Sequence, residues 1–188
     1  TAMTFKLGDL LLKEGVITPS QLDEALKYQV IFGGRLGTNL IEMGILDEDT
    51  VTRALSRKFG VPAVAADELI HIPSAVIQLL PQDIVEKYRL MPLRLDGRRL
   101  TVAMSDPSDL RAIDDLSFRT GLIIRPQVAA EVRIVLALEQ HYGIARERRY
   151  IHAAKKIETR HKKPAAERPT SLDVSATAGE VSLEAPAA

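Results

Sequence analysis

The chain has 188 residues, with 25 Lys and Arg against 25 Asp and Glu, so its formal net charge is zero. A neutral chain lacks the positive field that attracts nucleic acid, and with no Trp, four Phe and four Tyr it lacks a base-stacking platform. The absence of Cys removes disulfides and thiolate metal sites. No signal peptide is visible, so none is expected, and no apolar run approaches the roughly 18–20 residues that span a bilayer. We therefore expect a cytoplasmic protein.

The first sixty residues contain one 24-residue unit twice. Residues 6–29 are KLGDLLLKEGVITPSQLDEALKYQ and residues 35–58 are RLGTNLIEMGILDEDTVTRALSRK, with five residues between the copies. Matched positions therefore lie 29 residues apart, which is 24 plus five. A repeated unit indicates a repeated packing face or a repeated task.

Each copy is predicted to be a helical hairpin. In the first copy a short helix ends at Gly15, and Thr18 caps a second helix with Gln21 completing a capping box. In the second copy Gly44 ends the short helix and Asp47 caps the next one. The second helix of each copy carries an apolar stripe at helical spacing. These stripes are Leu22, Ala25, Leu26 and Val30, and Val51, Ala54, Leu55 and Phe59.

Residues 61–143 are predicted to form a small α+β domain. The predicted helices are Ser74–Leu80, Asp83–Tyr88, a helix from Ser108 or Asp109 to Thr120, and Ala130–Tyr142. The predicted strands are Leu90–Leu95, Leu100–Met104 and Leu122–Val128. Ser74 and Asp83 are the expected N-caps, and Asp96-Gly97 is a hairpin turn. Pro126 restricts the third strand to a sheet edge or a strand end.

The apolar periodicity is lost from residue 144 onward. Residues 144–163 hold eight Lys or Arg against Glu147 and Glu158, and Ala, Ser, Thr, Pro and Glu predominate after Pro164. Such a composition cannot bury enough surface to become ordered. We predict a basic helical extension or linker, favoured over a stretch that contacts anionic lipid or RNA, and then a disordered tail. The expected α+β chain thus divides into a tandem-hairpin region at 1–60, a small domain with a short sheet at 61–143, and a tail at 144–188.

Three matched positions of the repeat are unusual for a plain hairpin. They are Lys6 and Arg35, Gly8 and Gly37, and Gln29 and Lys58. The cation lies before a helix N-terminus, where free N–H groups favour an anion. The glycine costs roughly 1 kcal/mol in a helix relative to alanine, which suggests a close approach to the backbone. The polar residue interrupts an apolar stripe, where burial requires a partner.

An anionic ligand with two-fold symmetry would explain all three features. A cyclic dinucleotide has two phosphates and two guanines related by a dyad, and two matched hairpins would meet each half alike. Arginine can pair with guanine O6 and N7 or hold a phosphate, and glutamine can bind a base edge. The alternative is simple duplication, in which the glycines permit close helix packing and the polar side chains extend into solvent.

Residues 6–58 resemble the tandem MshEN pattern, RLGxxLLxxGLLxxxxLxxxLxxQ, which binds cyclic di-GMP at the N-terminus of secretion and pilus ATPases. Two positions depart from the pattern: Lys6 replaces an arginine and loses its bidentate fork, and Lys58 replaces a glutamine and loses its acceptor. The resemblance implies ligand contacts at Lys6, Leu7, Gly8, Leu11, Leu12, Leu26 and Gln29, and at Arg35, Leu36, Gly37, Leu40, Ile41, Leu55 and Lys58.

Residues 61–143 look like the rest of the N-terminal domain of the general secretory pathway protein E family, through LLPQDIVEKYRLMPLRLDGRRLTVAMSDPSD and the helix ending in EQHYG. The resemblance implies a regulatory module of type II secretion and type IV pilus ATPases. Its expected partners are cyclic di-GMP, the ATPase and inner-membrane assembly proteins, with membrane contact only through partners and no nucleic acid polymer. The alternative is a ligand-free module that docks the ATPase to the inner-membrane platform.

No catalytic, cofactor or metal site is expected. The sequence contains no GxxxxGK[ST], so ATP hydrolysis by that route is not expected. The histidines have no metal-ligand spacing with acidic partners; they are His71, His141, His152 and His161. Turns, caps and a solvated helix face account for the clustered aspartates Asp106, Asp109, Asp114 and Asp115.

Overall fold

The computed structural model describes residues 6–150 together with Lys155 and Glu158. The helices of this part are α1 (Leu7–Lys13), α2 (Pro19–Phe32), α3 (Leu36–Glu42), α4 (Glu48–Phe59), α5 (Ser74–Ile77), α6 (Gln82–Tyr88), α7 (Leu110–Thr120) and α8 (Glu131–Tyr142). The strands are β1 (Leu90–Asp96), β2 (Arg99–Met104) and β3 (Ile123–Val128), and a 3-10 helix follows at Arg148–Tyr150. The predicted α+β class is confirmed. Within these residues, no helix has both the length and the apolar composition to cross a bilayer.

The helical hairpins form as predicted, α1 with α2 and α3 with α4. The Thr18 hydroxyl accepts the Gln21 backbone N–H at 3.2 Å, and the Gln21 side chain accepts the Thr18 backbone N–H at 2.9 Å. Asp47 accepts the backbone N–H three residues further on at 2.7 Å. Gly15 and Gly44 adopt φ values of +67° and +74°, the left-handed conformation in which a helix commonly ends.

The two hairpins face each other across a pseudo-dyad. A Cβ atom built at Gly8 would lie 3.3 Å from the Leu36 side chain, and one at Gly37 would lie 3.5 Å from the Leu7 side chain. These are the same contact made in both directions, because the matched positions are 29 residues apart. Within each hairpin the same glycine also meets the second helix, at 2.9 Å from Leu22 for Gly8 and 2.9 Å from Val51 for Gly37.

The three strands form one sheet in the order β1-β2-β3. Strand β1 pairs antiparallel with β2 through the predicted hairpin, whereas β3 returns parallel to β2 after the crossover helix α7. Pro126 lies on β3, at an edge of this sheet, as predicted. Asp109, and not Ser108, caps α7 by accepting the Ala112 backbone N–H at 3.2 Å.

Two predicted N-caps are wrong. The N-cap positions of α5 and α6 are Pro73 and Pro81, so Ser74 lies inside α5 and Asp83 inside α6, and neither helix has a side-chain cap. Helix α5 also ends at Ile77 rather than at Leu80. Proline disfavours the helical conformation at Leu80, which directly precedes Pro81, but it does not act on Gln78 and Leu79, which form a turn beyond the helix.

The second hairpin joins the α+β part through a shared apolar cluster. Its buried members are Ile41, Val51, Ala130, Val132, Val135 and Tyr150. Tyr150 is only 3% exposed. Ile144 and Tyr150, in the stretch that the sequence assigns to a solvated linker, therefore pack against the body of the protein, whereas Ala145, Glu147 and Arg148 are exposed. The rest of the predicted linker and disordered tail lies outside the described residues, apart from Lys155 and Glu158.

Candidate functional site

A cavity of about 420 Å³ opens between the two hairpins and the first residue of α8. Its volume falls in the range of about 300–1,000 Å³ that is typical of small-molecule sites. Many of its lining residues are those that the sequence proposes as ligand contacts: Lys6, Leu7, Gly8, Leu26, Gln29, Arg35, Leu36, Gly37, Leu55 and Lys58. The remaining lining residues are Thr38, Val51, Phe59, Ser105 and Glu131. Both repeats thus contribute matched positions to one cavity.

The other proposed contacts lie behind the cavity. Leu11 and Leu40 are fully buried between the hairpins, and Leu12 packs against the same cluster. Ile41 packs toward α8 in the cluster that joins the two halves of the protein. All four lie one turn beyond the ends of α1 and α3 that line the cavity. The structure therefore places Leu11, Leu40 and Ile41 in the core and Leu12, partly buried, at its edge.

The cavity wall carries an excess of positive charge. Lys6, Arg35 and Lys58 line it, and Glu131 is the carboxylate among the described lining residues. Glu131 is already engaged, because its Oε1 accepts from Arg89 at 2.7 Å and its Oε2 accepts from the Thr38 hydroxyl at 2.9 Å. The cationic side chains consequently have no unpaired carboxylate within the wall.

The two matched cations differ in their surroundings. Lys6 and Arg35 occupy the N-cap positions of α1 and α3, and neither makes a capping hydrogen bond. Arg35 Nη1 lies 3.6 Å from Asp106 Oδ2. Partial burial raises the pKa of Asp106, but hydrogen bonds from Ser108 and the charge of Arg35 outweigh burial, so the pKa lies below its usual value. Arg35 is therefore oriented in part by a carboxylate, whereas Lys6 has no ion pair with any described residue.

The two matched polar residues have local partners. Gln29 donates from Nε2 to the Gly34 carbonyl at 2.7 Å, an amide orientation that is assigned from its hydrogen bonding. Lys58 places its ammonium 4.8 Å from the centre of the Phe59 ring, within the range of a cation–π contact. Gln29 keeps its carbonyl oxygen available to a donor, and Lys58 can only donate.

Helix packing accounts for the two matched glycines. Any side chain at Gly8 or Gly37 would meet a leucine or valine of the second helix at 2.9 Å, a distance at which the neighbour must move. This packing role is what the alternative of simple repeat duplication predicts for the two glycines. Both glycines also line the cavity, so the absence of a side chain leaves the backbone accessible there as well.

Sequence reasoning missed the residues that the α+β part contributes. Ser105 and Glu131 reach the cavity from segments distant in sequence, and Asp106 was interpreted only as part of a turn. Nothing in their local sequence marks them, because the hairpins approach them only through tertiary packing.

Another cavity, of about 560 Å³, lies between residues 66–71 and α8 and is lined mainly by apolar surface. In the part of the chain that the structure covers, no group of three or more His, Asp or Glu could hold a metal ion.

Comparison with known proteins supports a relationship over most of the described chain. The family model described as MshEN domain matches residues 59–148, which is the α+β part and not the repeat itself. The type IV pilus assembly ATPase PilB of Myxococcus xanthus (strain DK1622) is 40% identical over 141 residues, covering 75% of this chain and 25% of that protein. Bacteriophage adsorption protein B of Escherichia coli (strain K12) is 33% identical over 137 residues, covering 73% of this chain and 18% of that protein. The chain therefore spans a quarter or less of these relatives.

One solved structure matches most of this chain. It is described as MshE with cdg, that is, cyclic di-GMP, and it matches with a TM-score of 0.58 and 31% sequence identity. The match covers 73% of this chain and 99% of that chain. The fold of this chain is therefore similar to that of a protein whose structure was solved with cyclic di-GMP.

Proposed function

This chain belongs to the MshEN domain family, and from that premise we propose that its two hairpins bind one molecule of cyclic di-GMP. The observation that carries the proposal is the joint cavity, in which Lys6 and Arg35 line the same wall. A ligand with two phosphates related by a dyad needs cations from both repeats at one place. Hairpins with these side chains on opposite faces could not bind it.

The lining residues supply the chemistry that such a ligand requires. The Arg35 guanidinium can donate two parallel hydrogen bonds to a phosphate or to guanine O6 and N7. Lys6 and Lys58 supply positive charge without that fork. Gln29 can accept and donate at a base edge, and Leu7 and Leu36 provide apolar surface to the bases. One half of the site is weaker than the other wherever lysine replaces the residue of the family pattern.

The proposed role is regulation of a secretion or pilus ATPase in the cytoplasm. Cyclic di-GMP can shift the state of an attached machine only if it binds two conformations of this domain with different affinity. The structural match to a cyclic di-GMP complex supports ligand binding, and the pilus ATPase relative supports the connection to a motor.

A second candidate function is docking without a ligand. The last turn of α2 exposes Val30, Ile31 and Phe32, with exposed fractions of 87%, 74% and 57%. Clustered apolar side chains on a surface often mark a protein-interaction site. Helix packing alone can also explain the glycines. In this function the domain links the ATPase to inner-membrane assembly proteins, and the cavity has no nucleotide to bind.

Calorimetric titration with cyclic di-GMP distinguishes the two functions. The first predicts saturable binding that Arg35→Ala and Gln29→Ala each weaken by at least about tenfold, since a hydrogen bond to a charged group is worth about 1.5–3 kcal/mol. Lys27→Ala is the control, because Lys27 lies on α2 but pairs with Asp23 on the solvent side. A titration without saturable heat would leave the docking function. Equal weakening by Lys27→Ala would indicate unspecific charge attraction.

A further inference from the structure

Arg149, in the 3-10 helix after α8, holds the loop between the two repeats. Its guanidinium donates to the Phe32 carbonyl at 3.1 Å and to the Gly33 carbonyl at 2.8 Å. It also donates to Asn39 Oδ1 and, at 3.2 Å, to Glu42 Oε1 on α3. The side chain is only 21% exposed. A single arginine from the far end of the described chain thus fixes the C-terminus of α2 to α3.

The same loop positions two residues of the proposed ligand site. Gly34 accepts the hydrogen bond from Gln29 at 2.7 Å, and Arg35 follows Gly34 directly. A Cβ atom at Gly34 would lie 2.2 Å from Arg149 Nη1, so the guanidinium rests against the loop backbone. A shift of Arg149 therefore changes the geometry at Gln29 and Arg35, although Arg149 itself does not line the cavity.

A second path connects the same segment to the cavity wall. Arg89 donates to the Tyr150 hydroxyl at 2.7 Å and to Glu147 at 2.5 Å. Arg89 also donates to Glu131 at 2.7 Å, and Glu131 accepts from Thr38 at 2.9 Å. Glu131 and Thr38 both line the cavity. Segment 147–150 is thus bonded to the ligand site through the loop and through the start of α8.

We infer that Arg149 is a positioning residue of the cyclic di-GMP site, and that ligand binding and the docking of segment 147–150 favour each other. The inference rests on the proposed function. Its physical basis is the fork of the guanidinium, whose several donors hold two carbonyls, an amide and a carboxylate at once. A ligand that orders Gln29 and Arg35 also orders the loop that Arg149 binds.

Because coupling between two sites is reciprocal, ligand binding in the cavity also affects whatever follows segment 147–150 in a longer protein. If docking of segment 147–150 tightens ligand binding, ligand binding must stabilise the docked segment by the same factor. The chain continues beyond Tyr150, so any domain that follows is tied to a segment whose position depends on the ligand. Occupancy of the cavity would thereby set the geometry at which that following domain is attached.

Hydrogen exchange and calorimetry on four forms of the full chain test the inference. They are the wild type, Arg149→Ala, Arg149→Lys and Arg148→Ala. Arg148 is the matched control, because it is exposed and has no hydrogen bond or ion pair with the described residues. Without ligand, Arg149→Ala should speed exchange in residues 32–38 while Arg148→Ala matches the wild type. With cyclic di-GMP, the wild type should gain protection in both 32–38 and 147–150.

Arg149→Ala should also bind cyclic di-GMP at least about fivefold more weakly, the lower end of typical coupling between sites, and lose the protection at 147–150. Arg149→Lys should behave like Arg149→Ala, since an ammonium cannot bridge the same acceptors. If the alanine variant unfolds, the lysine variant is used for the same measurements. Identical affinity and exchange in the Arg149 variants and Arg148→Ala would overturn the inference alone. A wild type that binds no cyclic di-GMP would overturn the proposed function and the coupling together.

Discussion

The two hairpins follow one sequence template but occupy different environments. In the first hairpin α2 buries only Ala25, and its last turn is exposed. In the second, α3 buries every residue from Gly37 to Ile41, and α4 packs against the α+β part. The first hairpin is attached to the protein mainly through the second, which is the structural junction.

Repeat positions that are identical in the two copies and repeat positions that differ have different structural roles. The Leu-Gly pair and the buried leucines Leu11 and Leu40 recur in both copies and form the interface between the hairpins. Three positions that differ carry contacts to the α+β part and segment 147–150 in the second copy. These pairs are Asp9 and Thr38, Leu10 and Asn39, and Lys13 and Glu42, whose second members bond Glu131 or Arg149. Agreement between the repeats thus marks the interface between the hairpins, whereas the cavity also contains matched positions that differ, Lys6 and Arg35 and Gln29 and Lys58.

The largest expected effect compares two arginine pairs on α4. Arg133 of α8 is 4% exposed and lies 3.8 Å from Glu48 of α4, which is 5% exposed, and it also binds the half-exposed Asp49. Arg57 binds Glu14 of the first hairpin at 2.6 Å and is 46% exposed. Arg133→Ala should lower the free energy of unfolding by about 3–5 kcal/mol, the cost of breaking a buried pair. Arg57→Ala should cost about 0.2–1 kcal/mol. Urea denaturation measures both, and equal losses would refute the assignment of the second hairpin as the junction.

The next comparison uses two matched apolar positions. Ile41 is 4% exposed in the junction cluster, while Leu12, its counterpart in the first hairpin, is only partly buried. Ile41→Ala should cost about 2–5 kcal/mol through the cavity that it leaves, and Leu12→Ala clearly less. The same urea experiment measures both. A larger loss for Leu12→Ala would reverse the order of the two hairpins.

A pH-dependent effect tests how Tyr142 stabilises α8, the helix against which the second hairpin packs. Tyr142, at the end of α8, donates to the Ile77 and Leu80 carbonyls at 2.9 and 3.2 Å, and burial raises its pKa to about 12 from 10.0. The neutral phenol is the stable folded form, so its contribution is complete below pH 10 and falls as pH rises from 10 toward about 12. Tyr142→Phe should cost about 1–3 kcal/mol at neutral pH and remove this alkaline dependence. Melting curves at about pH 9 and about pH 11 would show it; an unchanged alkaline slope in the variant would contradict it.

The smallest effect concerns the two cations. Hydrogen bonds from Ser108, followed by the charge of Arg35, lower the pKa of Asp106. Its stabilising contribution is therefore present above its unfolded pKa of 3.8 and is lost as pH falls through the lower folded pKa. Because both side chains are partly exposed, Asp106→Asn should cost less than about 1 kcal/mol at neutral pH and flatten the acid side of the stability profile. Lys6→Ala should leave that profile unchanged. An effect of Lys6→Ala equal to that of Asp106→Asn would contradict the difference between the two cations.

Local chemistry made much of the fold predictable. The capping box at Thr18, the cap at Asp47 and the glycines that end the short helices follow from residues within one turn of each other. The edge position of β3 follows from Pro126. The same local rules failed at Ser74 and Asp83, because a proline takes the cap position one residue before Ser74 and two residues before Asp83.

The contacts that complete the site could not be predicted in this way. Glu131 bonds Thr38 across 93 positions of sequence and Arg149 bonds Asn39 across 110, and neither pair has a local pattern. The repeat predicted which positions are equivalent, but it did not predict which of them line the cavity. Leu11 and Leu40 satisfy the motif equally well as core residues, since an apolar position in a pattern does not reveal what covers it.

The most direct test of the shared cavity is the stoichiometry and affinity of cyclic di-GMP binding to the wild type, to Lys6→Arg and to Lys6→Ala. The account predicts one ligand molecule per chain, weaker binding by Lys6→Ala, and tighter binding by Lys6→Arg because the bidentate fork is restored in the first hairpin. Two independent ligand molecules per chain, or affinity that does not change with the residue at position 6, would contradict a single site built by both repeats.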